Sequence, residues 1–239
     1  MGLMKRSSSA AEPPVRPVDL AGNYNRPTPD LEAIVERLVD SVEPRAFAAL
    51  KAKHEPLLAP HPGPGKYFDI TTWMRRHLIH ARALGLVGSP PSRVLDLGSG
   101  ASYFPYLLGQ LGHAAKAIDL DEMPAYNDLV ALLGVDRRVH RIKVGTPLPD
   151  FGMRFDWVTG FNIMFNLNNH PDMWNPPEWR VFLRHLALDV LAPGGQAFFK
   201  LNPIRLRGYD TEGLLDSFVS LGAEIAFPFV HFPIREKLV

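Results

Sequence analysis

From residue 92 onward, short apolar runs alternate with stretches of helical spacing. Val94, Leu95 and Leu97 form a run suited to a strand buried on both faces. Phe104, Leu107, Leu108 and Leu111 then recur at helical intervals within residues 101–111. The alternation predicts strands at 93–97, 114–119, 138–144, 155–161 and 196–201, with helices at 101–111, 122–133, 177–191 and 210–221. Only Gly145 to Arg154 separate the third and fourth strands, so the helix expected there is shortened or missing. The tail from Ala223 to Glu236 supplies two short antiparallel strands around Pro228 and Pro233. Alternating strands and helices imply an α/β fold, a mainly parallel sheet with helices on both faces.

The N-terminal third reads as helices alone. Thr28 is placed to cap a helix that has Pro29 in its first turn. Leu31, Ile34, Val35, Leu38, Val39 and Val42 then mark one amphipathic face. Pro44 opens a second helix through Phe47 and Leu50 towards His54, and Ala59 to Gly65 reads as a loop. A third helix runs from its cap at Asp69 through Trp73, Met74, His77, Leu78 and Ala81 to Leu84, and ends at Gly85. Three segments are therefore expected: a disordered stretch at 1–27, rich in Ser, Pro, Ala and Gly; a helical cap at 28–91; and the α/β domain at 92–239.

Composition adds mainly exclusions. A net charge of +1 gives no support for a nucleic-acid surface. The chain has no cysteine, so neither disulfides nor thiolate metal sites arise. No apolar run reaches the roughly 18–20 residues needed to cross a bilayer, and nothing reads as a secretory leader, so a cytoplasmic protein without membrane insertion is expected. Nothing in the pattern sets the oligomeric state.

The chemistry concentrates after the first strand, in Asp96-Leu97-Gly98-Ser99-Gly100. Gly98 and Gly100 lack a Cβ, so the backbone can turn sharply and approach a ligand. The following helix points its positive end at the same place. Asp119 lies 21 residues beyond Gly98, at the end of the second run, where a carboxylate can accept both hydroxyl hydrogens of a ribose. These features describe a nucleotide-type cradle. A dinucleotide fold places a third glycine where this chain has Tyr103, and that bulk argues against a pyrophosphate over the helix.

The string Val94 to Gly100 resembles the first motif of class I S-adenosylmethionine-dependent methyltransferases. Arg154-Phe155-Asp156-Trp157-Val158-Thr159 is similar to their fourth-strand motif, and Leu191-Ala192-Pro193-Gly194-Gly195 is similar to the turn before strand five. A looser similarity to bacterial members acting in glycan or secondary-metabolite pathways extends through Gly112-His113, Pro147-Leu148-Pro149, Phe161 to Asn166 and Glu178-Trp179.

The resemblance implies a seven-stranded sheet in the order 3-2-1-4-5-7-6, S-adenosylmethionine as cofactor, and methyl transfer to a small-molecule or glycan acceptor, at oxygen. It implies cofactor contacts from Tyr67, Asp96, Gly98, Ser99, Gly100, Tyr103, Phe104, Asp119, Leu120, Phe161 and Asn162. Members of the family often carry an acidic residue after strand three. This chain has Lys143-Val144-Gly145 there, so backbone groups near Thr146, Pro147 and Leu148 are expected at the adenine instead. No metal is called for. Two other readings stay open: a nicotinamide-dependent Rossmann oxidoreductase, and a non-catalytic binding protein of the same fold.

Remaining candidates are weighed against plainer roles. His170, on the loop after strand four, is the candidate general base, because the free imidazole pKa lies near working pH; the alternative is a solvated histidine. Tyr103, His61 and Asp172 are weaker candidates for that role. Asn175-Pro176-Pro177-Glu178 comes 14 residues after Phe161, too late for the Asn-Pro-Pro-aromatic motif of amino-group methyltransferases, and reads as a helix cap. His77 and His80 share a helix and read as packing. Arg205 and Arg207 could meet an anionic acceptor or lie in solvent. Residues 28–84 are expected to help cover the acceptor pocket, with Tyr67 and His170 facing one cavity.

Overall fold

The computed structural model describes residues 28–55, 64–163, 173–202 and 213–233. His61, His170, Asp172, Arg205, Arg207 and the segment 1–27 lie outside them, and so does the expected meeting of Tyr67 with His170.

The helices at the start of the chain form where the caps predict. In α1 (Pro29–Asp40) the Thr28 hydroxyl accepts the Leu31 N–H at 3.4 Å, and Leu31, Val35 and Leu38 are buried. Helix α2 (Pro44–His54) starts with the Glu43 carboxylate capping it. A 3-10 turn (Pro64–Phe68) leads to α3 (Ile70–Ala83), whose cap Asp69 accepts the Thr72 N–H at 3.1 Å.

The sheet comprises β1 (Arg93–Leu97), β2 (Ala114–Asp119), β3 (Arg137–Val139), β4 (Phe155–Phe161), β5 (Leu191–Lys200), β6 (Glu224–Ala226) and β7 (Phe229–Pro233). Its order is β3-β2-β1-β4-β5-β7-β6, as the resemblance implies. The first five strands pair in parallel, and β7 runs antiparallel to both β5 and β6. Between the strands lie α4 (Tyr103–Gln110), α5 (Pro124–Leu133), α6 (Pro176–His185) and α7 (Leu214–Ser220).

Side chains alternate across the sheet, as strand geometry requires. Val94, Trp157 and Phe198 pack on one face with α1, α3, α4 and α5. Leu95, Leu97, Val158, Ala197 and Phe199 pack on the other with α6 and α7. Helices α1–α3 thus share a buried cluster with the sheet. Phe47 and His54 of α2 both pack against the Phe68 ring.

Three boundaries differ from the pattern. Strand β3 ends at Val139, because its partner β2 ends at Asp119, the residue opposite. Ile142 and Val144 instead pack against the core from an irregular segment, and no helix forms between Val139 and Phe155. The predicted helix 177–191 ends at His185 and passes through a π turn (Leu186–Val190). Strand β5 begins at Leu191, since Leu191 pairs with Phe155 and the register then shifts to match Trp157 with Gln196. Pro193-Gly194-Gly195 is therefore a bulge within the strand rather than a turn before it. A Cβ on Gly195 would lie 2.8 Å from the Ala192 carbonyl oxygen and 3.0 Å from that of Phe155.

Candidate functional site

The carboxyl ends of β1, β2, β4 and β5 open onto a cavity of about 670 Å³, roofed by the 3-10 turn and α3. Open α/β sheets bind ligands at this edge, and the volume is that of a small-molecule pocket, which spans roughly 300–1,000 Å³.

The glycine turn forms one wall. Gly98 has φ +64°, a left-handed conformation natural to glycine, and its missing Cβ leaves room for Ile163, whose Cγ1 would otherwise be 3.3 Å away. Four of the turn's N–H groups are spent within the chain. Gly98 and Ser99 give their N–H groups to the Ile118 carbonyl at 2.8 and 3.2 Å. Gly100 donates to Asp119 Oδ2, and Ser102 donates to the Ser99 carbonyl at 2.8 Å. Helix α4 follows with Tyr103 and Phe104 buried, and Pro105 in its first turn has no N–H to offer. A pyrophosphate would find few free donors here.

Asp119 closes the same wall. Its Oδ1 accepts the Leu120 N–H at 2.7 Å and its Oδ2 the Gly100 N–H. Burial pushes its pKa up, and these two hydrogen bonds oppose that rise. Each carboxylate oxygen keeps a second lone pair for a ligand hydroxyl. Asp96, at 2 % exposure, accepts the Thr159 hydroxyl at 2.8 Å on Oδ1. Its burial, with the Asp119 charge adding to it, raises its pKa to about 8.

The opposite wall is aromatic and basic. Tyr67 stacks on Trp73 with ring centres 4.3 Å apart, and Tyr126 meets it edge-on at 4.9 Å. The Arg76 guanidinium lies 4.6 Å from the Trp73 ring. Phe161 is stacked on His80 at 4.6 Å and meets Phe104 edge-on at 4.8 Å. Burial lowers the pKa of His77 to about 3 and that of His80 well below the ordinary value, so both rings are neutral. Lys200, at the end of β5, has its pKa lowered by burial and then by Arg76. Asn162, in the left-handed region at φ 59°, donates its N–H to the Lys200 carbonyl at 2.8 Å and its amide to Leu201 at 3.2 Å, joining the ends of β4 and β5.

Of the residues expected at the cofactor, Tyr67, Asp96, Gly98, Ser99, Gly100, Asp119, Leu120, Phe161 and Asn162 line this cavity. Tyr103 and Phe104 do not line it. Tyr103 is a strut whose hydroxyl donates to the Tyr67 carbonyl at 2.6 Å, and Phe104 supports Phe161 from behind. Thr146, Pro147 and Leu148 are also away from it; Leu148 is buried in the cluster on the α6 face, and its N–H meets His185 Nε2 at 3.1 Å. Because β3 ends early, His140, Arg141 and Ile142 take the place after strand three and line the cavity. Trp73, Arg76, His77, His80, Tyr126 and Lys200 line it as well, and sequence reasoning missed them. The spacing of His77 and His80 was visible, but their facing partners on β4 and β5 were not. Glu178 Oε2 accepts the Asn175 N–H at 2.7 Å, so Asn175-Pro176-Pro177-Glu178 is a helix start, as read from sequence.

No protein-family model matches the chain, and no curated protein does. Several solved structures share part of its fold. The SAM-bound amino pentose methyltransferase CalS10 of Micromonospora echinaspora, involved in calicheamicin biosynthesis, is 22% identical over 56% of this chain and 53% of that one, with a TM-score of 0.42. The glycopeptide N-methyltransferase MtfA in complex with sinefungin is 18% identical over 55% of each chain, at a TM-score of 0.38. The PH0226 protein of Pyrococcus horikoshii OT3 is 17% identical over 58% and 57%, at 0.43. The chain thus spans about half the length of the structures it matches. Its seven strands in the order β3-β2-β1-β4-β5-β7-β6 make a Rossmann-like α/β fold, and the solved structures similar to part of it include S-adenosylmethionine-dependent methyltransferases.

Proposed function

We propose that this chain is a cytoplasmic S-adenosylmethionine-dependent methyltransferase acting at an oxygen of a small-molecule or glycan acceptor. One observation carries the reading: the glycine turn spends its N–H groups on Ile118, Asp119 and Ser99, while the Asp119 carboxylate lines the cavity. That arrangement suits a ribose on a cofactor without phosphates, since both glycines of the turn have their N–H groups committed within the chain. The nicotinamide reading is weakened by the same bonds and by Tyr103.

The residues fit the group. Asp119 would hold the ribose, Gly98 would let the backbone come close, and His140 to Ile142 would flank the adenine. His140 Nε2 is buried with no hydrogen-bond partner among the described residues, which leaves a polar atom for a base edge. Asp96, which keeps its proton at neutral pH, and Glu122, paired with Arg141, offer carboxyl oxygens to the ammonium of the ligand from the same wall. When bound, the cofactor would supply an activated methyl group for transfer to the acceptor oxygen, whose proton passes to a base or to water. The protein contributes alignment and exclusion of water, and α3 with Tyr67 and Trp73 covers the sheet edge for that purpose.

Thermal unfolding with S-adenosylhomocysteine tests this. The ligand should raise the Tm in a saturable way. Asp119→Ala should weaken its binding by about one to two orders of magnitude while the chain still unfolds cooperatively, because charged hydrogen bonds of roughly 1.5–3 kcal/mol are lost. A folded variant with unchanged affinity would place the ribose elsewhere.

A further inference from the structure

A second cavity, of about 410 Å³, adjoins the first and shares Arg76, His80 and Lys200 with it. Its other lining residues are Thr72, Arg75, Ile79, Pro228 and Phe229. No carboxylate among the described residues lines it. Arg75 is neutralised by Glu32, whose carboxylate it grips at 2.7 and 2.9 Å. Arg76 and Lys200 have no ion-pair partner among the described residues; Arg76 rests on the Trp73 ring, and Lys200 lies 5.7 Å from the centre of Phe229. Among the described residues, the carboxyl groups of the larger cavity (Asp96, Asp119 and Glu122) lie on or next to the ends of β1 and β2. The combined space is thus divided by charge, acidic at the glycine turn and basic where α3 meets the end of β5.

We propose that Arg76 and Lys200 form an anion-binding subsite that seats a carboxylate or phosphate group of the methyl acceptor, which enters through the second cavity. The proposal rests on the methyltransferase reading for the word acceptor, but the anion site stands on its own geometry. Two cations held together at a cavity wall without a counterion repel each other, and an oxyanion between them turns that repulsion into attraction. A guanidinium over an aromatic ring and an ammonium at a strand end also present their donors from two separate elements, which favours a bridging oxyanion over a hydroxyl. The neutral His77 and His80 rings beside them add polar surface without competing charge.

The test uses the full chain with sodium phosphate and sodium acetate as probes, at ionic strength held constant with sodium chloride. Thermal unfolding is followed for the natural chain, Arg76→Gln and Lys200→Gln. Arg76 is exposed, so its variant retains the fold. Phosphate or acetate should raise the Tm saturably, and each variant should need about ten times more of it. The probe with the lower midpoint identifies the acceptor's anionic group. Saturating S-adenosylhomocysteine, which carries a carboxylate of its own, should leave the anion effect of the natural chain in place, and an effect that it abolishes would overturn the assignment to the acceptor. A saturable anion effect that both variants share with the natural chain, or no saturable effect at all, would overturn the subsite. Loss of S-adenosylhomocysteine binding in the natural chain, with the anion effect intact, would leave the subsite and remove the methyltransferase reading.

Discussion

Asp96→Asn is expected to make the protein more resistant to unfolding at neutral pH, although it alters a buried residue in the sheet. The carboxyl is 2 % exposed, accepts one hydroxyl from Thr159, and has its pKa raised from 3.8 to about 8. The folded chain therefore keeps a proton on Asp96 that the unfolded chain has already released. Between those two values the unfolded state binds one proton fewer, so stability falls as pH rises, by about 1.4 kcal/mol per unit. Asparagine retains an oxygen to accept the Thr159 hydroxyl and carries no titratable proton. Relative to the variant, the natural chain should thus lose about 2.7 kcal/mol between pH 5 and pH 7. Urea unfolding of both chains at pH 5, 6, 7 and 8 measures this difference, and groups common to both cancel. Two parallel stability curves would refute the reasoning, because they would mean that Asp96 is ionised in the folded state.

Other consequences are separable. His77, neutral with its pKa lowered from 6.5 to about 3, acts in the opposite sense: below pH 6.5 the unfolded chain gains a proton that the folded chain refuses, so His77→Gln should flatten the acid limb of the stability curve between pH 6 and 4. Gly160→Ala should cost about 1–3 kcal/mol in urea, since its Cβ would lie 2.5 Å from Ile163 Cδ1 and 3.0 Å from Phe199 Cδ1; an unchanged midpoint would show that Ile163 is free to move away. Gly98→Val, at φ +64° and against Ile163, should abolish the thermal shift given by S-adenosylhomocysteine, and a preserved shift would remove the turn from the binding site. Glu178→Ala should cost roughly 0.3–1.5 kcal/mol through loss of the helix cap and leave cofactor affinity unchanged; altered affinity would return Asn175 to Glu178 to the site.

The sheet and the glycine turn were legible because their signals are local. Val94 to Gly100 carries both the strand and the turn, and Asp119 follows one strand later at the spacing that a βαβ unit dictates. The extent of β3 was not legible, because apolar residues at 142 and 144 look like strand in sequence, and only the end of β2 at Asp119 tells where pairing must stop. That single boundary is why His140–Ile142 line the cavity where the pattern pointed to Thr146–Leu148. Tyr103 is visible in the sequence as a bulky residue in place of glycine, yet its place behind the wall depends on a bond to Tyr67, 36 residues away. Helix periodicity placed His77 and His80 near the buried stripe of α3. Their role in the cavity arises from Phe161 and Lys200, which only the folding of β4 and β5 against that helix brings near.

Titration calorimetry of the full chain with S-adenosylhomocysteine and, separately, with NAD decides between the two cofactor classes. With the N–H groups of Gly98, Ser99 and Gly100 committed and Asp119 facing the cavity, S-adenosylhomocysteine should bind saturably with one molecule per chain, and NAD should give no heat at the same concentrations. Saturable binding of NAD with none of S-adenosylhomocysteine would contradict the methyltransferase assignment outright.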